Sequence, residues 1–169
     1  MDKKEFIQNK IEELEERLKD TNALDFANEH NADDYEYFDD AIQEFADGLT
    51  SVYYSDQRKY YDEHSSECED ALTSIYNSED IAQYIKNYGL EGLICHAGAL
   101  GEFEAIRGEI YDNIEDIIRL LAYRYALKNY DNIVDIDKAI ENIEVIDDSD
   151  INKIEDIVDY CFELKEEEE

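Results

Sequence analysis

The residues able to do chemistry in this chain are overwhelmingly carboxylates. Asp33, Glu36, Asp40, Glu44 and Asp47 recur at spacings of 3, 4, 4 and 3. That is the repeat of one α-helical face, and on a helical wheel the five lie within about 80° of one another. The apolar stripe Phe38, Ala41, Ile42, Phe45 and Leu49 falls on the other side. At a rise of about 1.5 Å per residue, the carboxylates would span roughly 21 Å, one about every 5 Å. Duplex DNA advances about 3.4 Å of axis per phosphate on each strand, and both strands face a bound protein. Carboxylates at this pitch offer a basic partner much of what a phosphate row offers. A solvated helix face also carries charge. Ordinary surfaces intersperse both signs, however, and no Lys or Arg occurs between Asp20 and Gln57.

Other constellations carry less. Asp148, Asp150 and Asn152 alternate as EF-hand ligands do, yet Lys153 stands at the sixth loop position, where Gly is required, and Asp159 replaces Glu at the twelfth. His64 and Cys68 are four apart and Cys95 adjoins His96, which are zinc-ligand types, but no CxxC spacing supports a site. Glu-x-x-His, the signature of a di-iron bundle, does not occur. Gly98-Ala99-Leu100-Gly101 lacks the Lys and the GxGxxG spacing of a phosphate loop and reads as a turn or hinge. No Ser/His/Asp arrangement stands out, and paired carboxylates are too common here to mark a general acid and base. The expectation is a non-enzyme with no catalytic residue, no metal site and no cofactor.

Charge bounds the class of partner. The 47 acids against 15 bases leave a formal net charge of -32 over 169 residues. Residues 1–19 are near neutral, with 6 acids and 5 bases. Residues 20–85 carry 18 acids and 2 bases, residues 86–128 carry 7 and 5, and residues 129–169 carry 16 and 3. Two acidic blocks thus flank a nearly neutral middle. A surface of this sign avoids nucleic acid and anionic membranes and attracts basic surfaces. With 43% hydrophobic and 12% aromatic residues, the chain is not a disordered acidic tail. Three cysteines, Cys68, Cys95 and Cys161, form no disulfide framework. No apolar run approaches the roughly 20 residues of a membrane span, and the N-terminus does not read as a signal peptide. A cytoplasmic location in a bacterial host cell is expected.

The elements that must position the carboxylates read as helices throughout, an all-α bundle of about six to eight helices in a single domain, 1–169. Ile7, Ile11, Leu14 and Leu18 predict a helix over residues 3–19. Residues 21–33 read as a linker, after which Asp33 or Asp34 would cap the acidic helix. Breaks or caps are expected near Ser55-Asp56, at Ser66-x-x-Glu69 and at Ser78, with Gly89 as a stop. The longest helix is expected over residues 102–128. There Phe103, Ile106, Ile110, Ile114, Ile117, Leu121 and Tyr125 form one stripe, as a core or a dimer seam. Shorter helices are expected over 135–146 and 149–164, with a possible strand at 132–136. Tyr35, Tyr37, Tyr53, Tyr54, Tyr60 and Tyr61 lie in the first acidic block. Their amphipathic rings suit either a binding surface or half-buried helix positions.

One stretch resembles a known family. Asp40-Ala41-Ile42, then Ala46-Asp47, then Tyr53-Tyr54-Ser55-Asp56 is similar to the corresponding segment of the Ocr-type phage antirestriction proteins. Ile110-Tyr111-Asp112-Asn113-Ile114 is a second, weaker similarity, and the tail Glu166–Glu169 is also acidic. The resemblance implies an all-helical dimer. Its acidic surface would copy the charge and bend of B-form DNA and occupy the DNA channel of type I restriction–modification enzymes. Asp40, Asp47 and Asp56 are the acidic positions that carry over. The chain departs from the family in its extra N-terminal helix and in the segment between Tyr61 and Gly101.

The expected function is therefore a DNA-mimic inhibitor that binds through Asp33, Glu36, Asp40, Glu44, Asp47 and Asp56. The expected partner is a defence enzyme with a basic channel: first a type I restriction–modification complex, second a CRISPR effector, with homodimerisation possible. A generic or halophilic acidic helical adaptor remains the alternative.

Overall fold

Asp2 starts the first helix by accepting a hydrogen bond from the Glu5 N–H at 2.8 Å, which satisfies one of the four unpaired donors at a helix start. In the computed structural model, which describes residues 2–50, 86 and 101–166, helix α1 runs Lys3–Arg17. Its apolar side, Ile7, Ile11, Leu14 and the following Leu18, is buried. The chain leaves α1 through Asp20, whose φ of 61° is left-handed, a conformation that Asp tolerates better than branched residues do.

The stretch expected to be a linker holds a second helix, α2, Asn22–Asn28. Thr21 caps it, its hydroxyl accepting from the Leu24 N–H at 3.2 Å. Ala23, Phe26 and Ala27 are fully buried. Helix α3 covers Phe38–Thr50. Residues 101–112 are helical and lead to α4, Ile114–Lys128. A 3-10 turn at Tyr130–Asn132 precedes α5, Ile136–Val145. A second turn at Asp148–Asp150 precedes α6, Asp156–Cys161. The described residues hold no strand or sheet, only isolated bridges between Tyr37 and Lys153 and between Ile133 and Leu164. The all-α class is as expected.

Three details differ from the sequence-based expectation. The long helix is interrupted at Asn113. The Asn113 N–H turns to the Ile110 carbonyl, three residues back, while its side-chain amide donates to the Glu109 carbonyl at 2.8 Å. A side chain inserted into the backbone ladder in this way bends a helix. The last helix is six residues rather than sixteen, because Asp147 and Asp150 cap each other across a tight turn. The possible strand near 132–136 is a single bridge, Ile133 to Leu164.

The chain groups into two compact units, residues 1–42 with 109–169, and residues 43–108. In the first, α4 is the hub on which α1, α2, α5 and α6 pack. Seven of its residues are buried, from Ile117 to Ala126. None of its five charged residues is buried, because an unpaired ion loses its hydration in the interior. Of the expected seam, Ile110, Ile117 and Leu121 are buried in this unit and Ile114 is half-buried. In the second unit Ile106 is buried and Phe103 half-buried beneath the Arg107 guanidinium, which also bonds Glu104 at 2.9 Å.

Two titratable groups lie within the first unit's core. The Tyr123 hydroxyl donates to Glu144. Burial first, and then this bond, hold the phenol above its ordinary value of 10.0. Burial pushes the Cys161 thiol up to about 12. In both, the folded chain holds the proton more tightly than the unfolded chain. The stability they contribute is complete below the unfolded value and is lost as pH rises through the folded one. For Cys161 that window runs from 9.0 to about 12. The melting temperature is expected to fall across it, and less steeply in Cys161→Ala; identical slopes would refute the assignment. Leu121→Ala is expected to cost about 2–5 kcal/mol in urea denaturation. The exposed Val145→Ala should stay within about 0.5 kcal/mol.

Candidate partner-binding surface

The acidic helix starts later than its carboxylate spacing implies. The Phe38 N–H donates to the Asn152 carbonyl and the Ile154 N–H to the Glu36 carbonyl, both at 2.9 Å. Residues 36–38 are thereby laid antiparallel against 152–154, so the chain cannot turn into a helix before Phe38. Asp33 and Glu36 are exposed but do not lie on α3, and the five-carboxylate helical row is corrected to three. Neither Asp33 nor Asp34 caps α3. The Asp34 carboxylate accepts from the Asn31 N–H at 3.0 Å and pairs with His30 at 3.2 Å.

On α3 itself the pattern holds. Phe38, Ala41, Ile42, Phe45 and Ala46 are buried, while Asp40, Glu44 and Asp47 are exposed. Leu49, assigned to the apolar stripe, is 44% exposed. The helical rise sets the three carboxylates about 6 and 4.5 Å apart along the axis. No ion pair joins any of the three to a described residue. Asp56 lies outside the described residues, as do Tyr53, Tyr54, Tyr60, Tyr61 and the zinc-ligand types His64, Cys68, Cys95 and His96. Tyr35 and Tyr37 precede the helix and are 82% and 51% exposed. The Lys153 ammonium sits 5.2 Å from the centre of the Tyr37 ring.

The cations are placed elsewhere. Lys3 pairs with Asp137 at 2.7 Å and Lys10 with Glu144 at 3.6 Å, joining α1 to α5. Arg17 pairs with Asp116 at 3.0 Å and Arg124 with Glu15 at 3.1 Å, joining α1 to α4. Among the described residues no Asp or Glu is buried, so the acidic charge lies at the surface.

Carboxylates converge at one further place. Glu115, Asp147 and Asp148 are exposed and bring oxygens within 4.8 Å of one another, near enough to share a cation. This is not the set suggested by EF-hand spacing. The Asp150 carboxylate turns back to accept the Asp147 N–H, and the Asn152 N–H donates to Asp156. Beside the cluster a pocket of about 210 Å³ is lined by Phe38, Asp39, Tyr111, Ile114, Ile118, Asp148, Ile151 and Asn152. Sequence reasoning missed Asp39 here. The only signal was Tyr111, within a segment singled out for another reason; its hydroxyl donates to the Asp39 carboxylate.

Since Asp40, Glu44 and Asp47 repel one another and no cation among the described residues pairs with them, neutralising them should relieve repulsion. The variant carrying Asp40→Asn, Glu44→Gln and Asp47→Asn is expected to melt slightly higher than the wild type, by about 0.2–0.5 kcal/mol per pair removed. That gain should shrink in 0.5 M NaCl, where the Debye length falls to about 4 Å. A lower melting point at both salt concentrations would mean that these side chains have structural partners.

No protein-family model, curated protein or solved structure matches the chain at a significant level.

Proposed function

We propose that the chain is a non-enzymatic DNA mimic, a counter-defence protein of a phage or mobile element acting in the bacterial cytoplasm. It occupies the basic DNA-binding channel of a defence enzyme, a type I restriction–modification complex before a CRISPR effector. The observation that carries the reading is the exposed face of Asp40, Glu44 and Asp47, which no cation among the described residues pairs with, in a chain of net charge -32. The similarity of the segment from Asp40 to Asp56 to Ocr-type proteins supports the same reading. The mechanism is competition. Carboxylates take the place of phosphates against Lys and Arg, and the long-range field of the acidic surface speeds encounter.

Carboxylate contacts to Lys and Arg weaken as salt rises, because screening reduces every exposed contact. The purified protein is expected to displace duplex DNA from a type I restriction enzyme at about 50 mM salt, and its own affinity for the enzyme, measured without DNA, to fall as salt increases. Reversal of Asp40, Glu44 and Asp47 to Lys should abolish displacement and leave the helical circular dichroism unchanged. Wild-type protein that fails to displace DNA at low salt, or a reversed variant that still does, would sink the reading.

A further inference from the structure

Apolar side chains lie beneath the pocket beside the start of α3. Phe38, Ile118 and Ile151 are buried beneath it and Ile114 is half-buried. Its polar rim is Asp39, Asp148, Asn152 and Tyr111, and both charged groups that line it are exposed carboxylates. The Tyr111 hydroxyl donates to Asp39 and fixes that carboxylate at the mouth. No Lys or Arg lines the pocket, although the adjoining cleft, which shares Tyr111, Ile114 and Asp148, is lined by Arg17 and Arg119. An apolar floor under a doubly negative mouth suits a long side chain whose stem is hydrocarbon and whose head is cationic. Lys and Arg bury their stems and keep the charge at the rim in this way. A guanidinium would also find carboxylate oxygens suited to its planar fork.

We propose that this pocket is a socket for one basic side chain of the partner, an arginine by preference. It anchors the docked surface at a fixed point while the carboxylates of α3 act at longer range. The inference rests on reading the chain as the ligand of a basic protein surface. It adds to that reading a directed contact, which a carboxylate row alone does not provide.

The probe is a blocked nonapeptide of Gly and Ser with one central arginine, compared with its citrulline counterpart. It is titrated into the full chain carrying isotope-labelled isoleucine methyl groups. The arginine peptide is expected to shift the Ile118 and Ile151 methyl signals and the citrulline peptide to leave them in place. Asp39→Asn and Asp148→Asn should each raise the titration midpoint about fivefold, the scale of a lost charge-assisted hydrogen bond. Asp131→Asn and Glu163→Gln remove the same charge at exposed sites that do not line the pocket, and should change it less than about twofold. Equal weakening by all four variants, or methyl signals indifferent to arginine, would overturn the socket. If the methyl signals respond while DNA displacement from the restriction enzyme fails, the socket stands and the DNA-mimic reading falls.

Discussion

Repulsion among carboxylates sets the terms on which this chain folds. With 47 acids and 15 bases, nothing near full pairing is available, and four of the cations are placed where one bridge joins two elements. Lys3, Lys10, Arg17 and Arg124 each reach from one helix to another, around α1. Exposed pairs of this kind are worth at most about 1 kcal/mol each. Their effect is less a sum of energies than a distribution of charge. Residues 1–19 are nearly neutral as a segment, yet three of their five bases, Lys3, Lys10 and Arg17, reach carboxylates on α4 and α5. The acids of the C-terminal block are thereby partly answered, while no cation among the described residues reaches Asp40, Glu44 or Asp47.

The same constraint selects which helix sits at the centre. Burial of an ion without a partner costs several kcal/mol, so the central helix must keep its charged groups out of the buried positions. In α4 none of the five charged residues, Glu115, Asp116, Arg119, Arg124 and Lys128, is buried. Its Ile, Leu, Ala and Tyr positions are buried, and its charged residues stay at the margins, where Arg119 and Arg124 reach Glu115 and Glu15. Tyr123 takes part with a polar tip that finds Glu144 at the edge of the core. The neutral middle of the sequence reflects a balance of acids and bases around this helix, 7 against 5 over residues 86–128.

What the sequence made legible follows from where local and tertiary demands agree. α1 and α5 were readable because their apolar positions repeat at helical spacing and their caps, Asp2 and Asp135, lie at the expected boundary. α2 was missed because its three buried positions, Ala23, Phe26 and Ala27, were outweighed by polar neighbours. The break at Asn113 depends on an amide that competes with the backbone, which periodicity does not register. The carboxylate row was right for Asp40, Glu44 and Asp47 as one exposed helical face and wrong for Asp33 and Glu36. Backbone bonds to Asn152 and Ile154, more than a hundred residues away, decide where that helix can start. Asp39 and Asp148 meet at one pocket for the same kind of reason: the contact is long-range, and no local pattern announces it.

Folding and recognition in such a chain draw on one source of free energy. Carboxylates left without internal cations raise the energy of the folded state, and the same carboxylates gain most when an external cation arrives. A ligand that binds only the folded chain stabilises it in proportion to how far its concentration exceeds the dissociation constant. A basic partner would therefore tighten the fold as it docks, most at low ionic strength, where the unrelieved repulsion is largest. An acidic surface whose charges were all paired internally would be more stable alone and would have less to gain from binding. The bases that bridge α1 to its neighbours pair with carboxylates other than Asp40, Glu44 and Asp47, which no cation among the described residues pairs with.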